Sequence, residues 1–372
     1  MKVKRNILLN PGPATTSDSV KRALVVPDIC PREKEFCAIV SSVRSQLLQV
    51  VNAEADYDCV IFGGSGTASV EAVISSVVPA GKKVLVVSNG AYGTRMIQIA
   101  QRYGIGVMAY EIPYGDYPAA AAVEKLLQEN EGELSHLAIV HHETTTGMLN
   151  PIEDFLRLAR RFRLEIIVDA ISSYAGIPMD LARTDYDYVI STANKNLQGM
   201  AGLSFVIAKK SLLQDLRRRP QRSFYLSLGD QYAFLDQHQQ MQFTAPVQII
   251  YALKQALTEY FAEGGQARWQ RYVANWEALV AGLAGIGFKL LLPLSAQSKL
   301  LTAVSEPADS RYDFDHMHDH LYERGFTIYP GKGAKNSCFR VANIGDIGVA
   351  DIEDFLQALR EYVALRGIRN FS

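Results

Sequence analysis

The chain has 372 residues, with 38 Lys and Arg against 39 Asp and Glu, a balance that argues against a polyanion-binding surface as its main business. Hydrophobic residues make up 48% and charged residues 21%, the composition of a soluble globular protein long enough for two domains. The stretch from Met1 to Leu9 has too few apolar residues before Pro11 for a signal peptide, and no run reaches membrane-spanning length, so a cytoplasmic protein is expected.

From about residue 58 to 210, short apolar runs alternate with amphipathic stretches. Val84–Val87, Ala138–Val140, Ile166–Val168, Tyr188–Ile190 and Phe205–Ile207 read as buried strands. The stretches 93–102, 119–129 and 152–163 read as helices. Continuously apolar strands between helices imply a parallel or mostly parallel sheet covered on both faces, hence an α/β fold that binds ligands at the carboxyl ends of its strands. A long helical pattern over 247–263 stops at Gly264-Gly265. Beyond it lies a smaller α+β unit: a helix from Ala267, strands at 288–292 and 300–304, a helix over 314–324, then 326–329, a strand at 338–341 and a helix over 352–365. On the helix near 316, His316 and His320 share a face while His318 lies opposite, so a solvated face is expected and no metal site. Cys30, Cys37, Cys59 and Cys338 form no CxxC pair and are expected as free thiols.

Two residues in the α/β region carry a specific chemistry. Asp169 ends one apolar run, and Lys195 follows another in Ala193-Asn194-Lys195-Asn196-Leu197-Gln198-Gly199. A carboxylate at one strand end and an amine beside the next suit an aromatic cofactor that has a basic ring nitrogen and an aldehyde. Pyridoxal phosphate (PLP) is such a cofactor: the lysine forms a Schiff base and the aspartate holds the ring proton. The phosphate needs its own site. Phe62-Gly63-Gly64-Ser65-Gly66-Thr67-Ala68 is a glycine-rich turn opening a helix, where free N–H groups and the helix dipole favour an anion. It lacks the Gly-Lys-[Ser/Thr] ending of a nucleotide-binding loop.

These residues and others resemble the class V aminotransferases of PLP fold type I, and within them the 2-aminoethylphosphonate–pyruvate transaminase group, essentially end to end. The markers are Leu9-Asn10-Pro11-Gly12-Pro13, the glycine turn, Asn89-Gly90-Ala91-Tyr92-Gly93-Thr94-Arg95, His142-Glu143-Thr144-Thr145-Thr146-Gly147, Asp169-Ala170-Ile171-Ser172-Ser173 and, most discriminating, the Lys195 segment. The resemblance implies a large PLP-binding domain over 16–264, with a mostly parallel seven-stranded sheet between helices, and a small domain from 1–15 and 265–372. It assigns Ser65, Gly66 and Thr67 to the cofactor phosphate, Tyr92 to the pyridine face, Thr144 to the ring hydroxyl, Asp169 to the ring nitrogen and Lys195 to the Schiff base. Thr244 matches a residue lent to the neighbouring subunit's phosphate site, which implies a homodimer. Arg340 matches an arginine that clamps a substrate carboxylate, a task suited to a bidentate guanidinium.

Read without the resemblance, Tyr92 also fits plain core, Thr144 to Thr146 fit ordinary strand positions, and Arg340 fits a surface ion pair. The segment Asp28-Ile29-Cys30-Pro31-Arg32-Glu33-Lys34-Glu35-Phe36 departs from the tryptophan-containing sequence of many relatives. Arg32 there offers a cation for a phosphonate or serves the surface. The partners expected are small molecules, an aminophosphonate or amino acid with a 2-oxo acid. Alternatives are alanine– or serine–glyoxylate exchange, a PLP lyase acting on an aminophosphonate, and a non-catalytic PLP sensor. The sensor reading needs a DNA-binding module, and the sequence has no appended helix-turn-helix or basic patch, so no nucleic-acid partner is expected.

Overall fold

A computed structural model describes residues 5–331 and 337–371; Met1 to Lys4, read above as part of the N-terminal stretch, lie outside them. Seven strands form the main sheet: β1 (Tyr57–Gly63), β2 (Lys83–Ser88), β3 (Gly106–Glu111), β4 (Leu134–Val140), β5 (Glu165–Asp169), β6 (Tyr188–Thr192) and β7 (Leu203–Lys209). Their spatial order is β1-β7-β6-β5-β4-β2-β3, and only β7 runs against its neighbours. All five runs read as strands fall inside these elements. The two that escaped notice, β1 and β3, lie at the edges of the sheet. In β3 none of the six residues Gly106-Val107-Met108-Ala109-Tyr110-Glu111 is fully buried, as befits an edge strand.

The central strands are buried on both faces, which is why their sequences show no alternation. Helix α1 (Gly66–Val77) follows β1, and α2 (Ala91–Arg102) follows β2. Register sets the working edge: Val140 of β4 pairs with Asp169 of β5, and Asp169 pairs with Ile190 of β6. The carboxyl ends of three adjacent strands therefore share one rim.

Helix α3 (Val247–Glu263) ends at Gly264, whose φ of 85° suits glycine, and α4 (Gly265–Ile286) begins at once. A second apolar cluster surrounds a three-stranded antiparallel sheet of β8 (Leu301–Ser305), β9 (Tyr329–Pro330) and β10 (Cys338–Ala342). The chain start joins it: Ile7–Leu8 pairs in parallel with Phe326–Thr327. The strand expected at 288–292 is not one. Leu290 makes a single bridge to Val304, and the segment breaks at Pro293, which cannot donate to a ladder.

Candidate active site

The rim of β4, β5 and β6 meets the Asn10–Pro13 loop and β10. Lys195 lies on the turn after β6, and its Nζ donates to the Pro11 carbonyl oxygen. Gly12 covers the lysine so closely that a Cβ there would fall 2.5 Å from Lys195 Cδ, and its φ of 136° is itself a glycine conformation. Part of the Lys195 side chain stays accessible, yet burial is the largest influence on its amine. With Arg340 and Arg95 nearby, and against the opposing pull of Asp169, the amine is pushed down to about 8. Asp169 is buried at the end of β5 and accepts from the Ile171 N–H at 2.9 Å. Burial and then the Glu143 charge raise its carboxyl to about 6, so it is ionised at neutral pH.

The glycine turn stands at the head of α1. Ser65 is its N-cap but makes no capping hydrogen bond, so its exposed hydroxyl is free. The first turn of α1 carries no acidic residue, leaving the helix dipole unopposed. Thr144 is buried, and its hydroxyl has no partner among the described residues. An orphaned buried hydroxyl costs free energy unless a ligand or water pairs with it. Arg340, 5% exposed, donates through Nη1 to the Thr144 carbonyl at 3.2 Å and through Nε to Pro330 O at 3.1 Å. It has no acidic partner among the described residues, which excludes the surface ion-pair reading. A buried guanidinium without a counter-charge is a ready anion site.

Two expected residues stand apart. Arg32 donates to the main-chain oxygens of Met241 and Gln242 and to Gln240 Oε1, with its guanidinium over Phe234, so it pins the 240–242 loop and is not brought to Lys195. Thr244, two residues beyond that loop, is exposed and makes no hydrogen bond to Ser65, Gly66 or Thr67 of its own chain.

A family model described as Aminotransferase class-V matches residues 21–313. The chain is 44% identical over 362 residues to a 2-aminoethylphosphonate–pyruvate transaminase of Klebsiella pneumoniae subsp. pneumoniae, covering 96% of this chain and 98% of that protein. It belongs to the class V aminotransferases. A Salmonella paratyphi B enzyme of the same name is 43% identical over 363 residues, covering 97% of this chain and 98% of that protein. Among solved structures, alanine–glyoxylate aminotransferase from Nostoc sp. superposes with a TM-score of 0.89 at 28% identity, covering 98% of this chain and 96% of that one.

For a class V aminotransferase the donor set fits pyridoxal phosphate: a helix N-terminus carrying the Ser65 and Thr67 hydroxyls, an orphaned buried hydroxyl, a carboxylate and an amine lie on one rim. Sequence reasoning left open whether Glu143 supports the site. It is fully buried and accepts from the N–H groups of Tyr92 and Thr145 and from the Thr145 hydroxyl, while Thr145 Oγ1 accepts from Ala91 N. It thereby caps α2, the helix that carries Tyr92. Gly90 makes room for it, since a Cβ there would overlap the Glu143 carboxylate. His142 was missed. Its Nδ1 faces Ser172 O at 3.0 Å and therefore carries the proton, and Nε2 accepts from Ser298 Oγ at 2.8 Å, joining the Asp169 loop to the strand entering β8. The spacing of His142 and Glu143 around the threonines gave no periodic signal to find them by.

Proposed function

We propose that the protein moves an amino group between 2-aminoethylphosphonate and pyruvate, giving phosphonoacetaldehyde and alanine, or the reverse. The observation that carries this reading is Arg340, a buried and unpaired guanidinium tied to Thr144 O on the rim that holds Asp169 and Lys195. Each substrate bears an anionic group for such a cation, and the curated relatives named above support the choice of the pair.

Pyridoxal phosphate, when bound, supplies an aldehyde for the substrate amine and a ring that takes up an electron pair. Ser65, Gly66 and Thr67 would hold its phosphate, Tyr92 would lie against its ring, and Thr144 Oγ1 would take the ring hydroxyl. Asp169, ionised at neutral pH, would hold a proton on the ring nitrogen. Lys195 Nζ, lowered to about 8 and so within reach of the neutral form, carries the proton off the carbon that bears the substrate amine. Arg340 fixes the anionic end of the substrate, so that this carbon faces Nζ. The roof of Pro11 and Gly12 packs over that amine and shields part of it.

The same reading divides the chain into a large domain over 16–264 and a small one from 1–15 and 265–372. The two main apolar clusters and the pairing of Ile7–Leu8 with Phe326–Thr327 support it. It also makes the protein a homodimer, with Thr244 reaching the partner's phosphate site. The exposure of Thr244, beside Phe224 at 83% exposed and the Tyr225–Phe243 stack, supports that arrangement. Arg32 then steadies the segment leading to Thr244. Within the described residues no helix is long and apolar enough to cross a membrane, and all four cysteines are free, which fits a cytoplasmic location.

Half-reaction spectra test the substrate. Holoenzyme mixed with 2-aminoethylphosphonate should lose its visible band as the amine form of the cofactor appears, and pyruvate should restore it. If serine or alanine converts the cofactor and 2-aminoethylphosphonate does not, a glyoxylate-type exchange replaces this reading.

A further inference from the structure

The phosphate cradle contains no cation of its own. Ser65, Gly66 and Thr67 offer hydroxyls and backbone N–H groups, and a helix N-terminus contributes the equivalent of only about half a positive charge. A phosphate monoester carries roughly 1.5 to 2 negative charges at neutral pH. The nearest basic side chain bonded to the cradle comes from a different helix. Arg95 of α2 donates through Nη1 to Thr67 Oγ1 at 3.0 Å, and its guanidinium lies over the Tyr92 ring with Cζ 4.9 Å from the centroid.

The placement follows from spacing. Tyr92 and Arg95 are three positions apart near the start of α2 and therefore share a face. Glu143 caps that turn and fixes where the face points. Arg95 is part-buried and has no carboxylate partner among the described residues. Its charge is felt at both Lys195 and Asp169, as a like charge at the first and an opposite charge at the second. The bond to Thr67 also has a direction. A hydroxyl has one proton to give, and because Thr67 Oγ1 accepts from Arg95, its own O–H stays free for another acceptor.

We propose that Arg95 is the counter-charge of the cofactor phosphate and the residue that aims the Thr67 hydroxyl at it. This rests on the reading of the site as a pyridoxal-phosphate site. Arg95 acts through Thr67 and through its charge, so it is a positioning residue, and the signature of that role is selectivity for the phosphate.

Equilibrium dialysis of the cofactor-free full-length enzyme, with the dissociation constants of pyridoxal phosphate and of unphosphorylated pyridoxal measured side by side, tests it. Losing a charge-assisted bond should weaken pyridoxal phosphate by roughly 10- to 100-fold in Arg95→Met, while pyridoxal changes less than about twofold. Arg95→Lys, which keeps the charge but not the planar fork, should fall between. In the wild type the preference for the phosphorylated form should shrink as salt rises from low to high ionic strength. An equal loss for both ligands would mean that Arg95 only props Tyr92, and unchanged constants would mean that it serves neither; both overturn the proposal. If Arg95→Met does not fold, the Arg95→Lys ratio and the wild-type salt dependence decide alone. A wild type that takes up no pyridoxal phosphate sinks the cofactor reading itself. A wild type that prefers it, with a variant that keeps the same preference, sinks only the role of Arg95.

Discussion

The rim that carries Asp169 and Lys195 and the strand that carries Arg340 position their charges in different ways. Asp169 is locked by paired parallel strands on both sides, in a core with no exposed face, and Lys195 leaves the neighbouring strand directly. Arg340 stands on β10 of the smaller sheet and reaches the rim through one hydrogen bond, to Thr144 O. The residues proposed for the chemistry thus sit on fully paired, doubly buried strands, while the arginine proposed to grip the anion comes from a strand packed in a separate apolar cluster. Reaction type should withstand changes that alter substrate choice.

The largest break in that comparison is Lys195→Ala. Removing the amine should abolish borohydride-trappable cofactor and lower kcat by more than the roughly 10²- to 10⁴-fold typical of losing one general acid–base group, since the covalent anchor goes with it. Mass spectrometry of the reduced protein checks the first effect and steady-state kinetics the second. A variant that still traps the cofactor at wild-type level moves the anchor elsewhere. Arg340→Lys strikes the other side. It keeps a cation but loses the planar fork, and the loss of a charge-assisted bond, about 1.5–3 kcal/mol, should raise KM for pyruvate roughly 10- to 100-fold. Trapping of the cofactor by Lys195 should be untouched, and a parallel loss of both would mean that the two regions are not separable.

The pH dependence of cofactor uptake sharpens the rigid side. Burial is the main cause of the lowered Lys195 amine, and only its neutral form attacks an aldehyde. Below about 8 the neutral fraction falls ~10-fold per pH unit, so recombination of cofactor-free protein with pyridoxal phosphate should slow on that slope and level off above it. Stopped-flow absorbance follows it. A midpoint near 10.5, the ordinary lysine value, would mean that the Pro11–Gly12 roof opens when the site is empty.

The two regions also differ in how plainly the sequence spells them. Asp169 and Lys195 were legible because each follows a continuous apolar run, and a run buried on both faces has a local signature. Arg340 lies inside a short strand and owes its place to Thr144, far off in the chain, and without the family resemblance it read equally well as a surface ion pair. Arg32 was ambiguous for a related reason. A guanidinium that binds three groups in the 240–242 loop looks, in sequence, the same as one waiting for a phosphonate. Glu143 was read only as an undefined support and Arg95 was given no site role, because capping a helix 51 residues away and bonding Thr67 from another helix are facts of packing, not of spacing.

Glu143 gives the smallest effect and the finest test of how rigidity reaches Tyr92. Its carboxylate receives N–H groups at the start of α2, and burial raises its own carboxyl. Glu143→Ala removes the cap and leaves Thr145 and the first turn of α2 without an acceptor. The cost should be about 1 kcal/mol in denaturant unfolding, within the 0.5–2 kcal/mol range of lost caps. Glu143→Gln keeps an acceptor while removing the charge. The stability loss should therefore be smaller, and Asp169, relieved of a nearby negative charge, should titrate lower. The pH dependence of the bound cofactor's visible band reports that shift. If Glu143→Gln loses as much stability as Glu143→Ala and leaves the titration where it was, the residue acts only through packing, and the link from the rim to α2 is steric and not electrostatic.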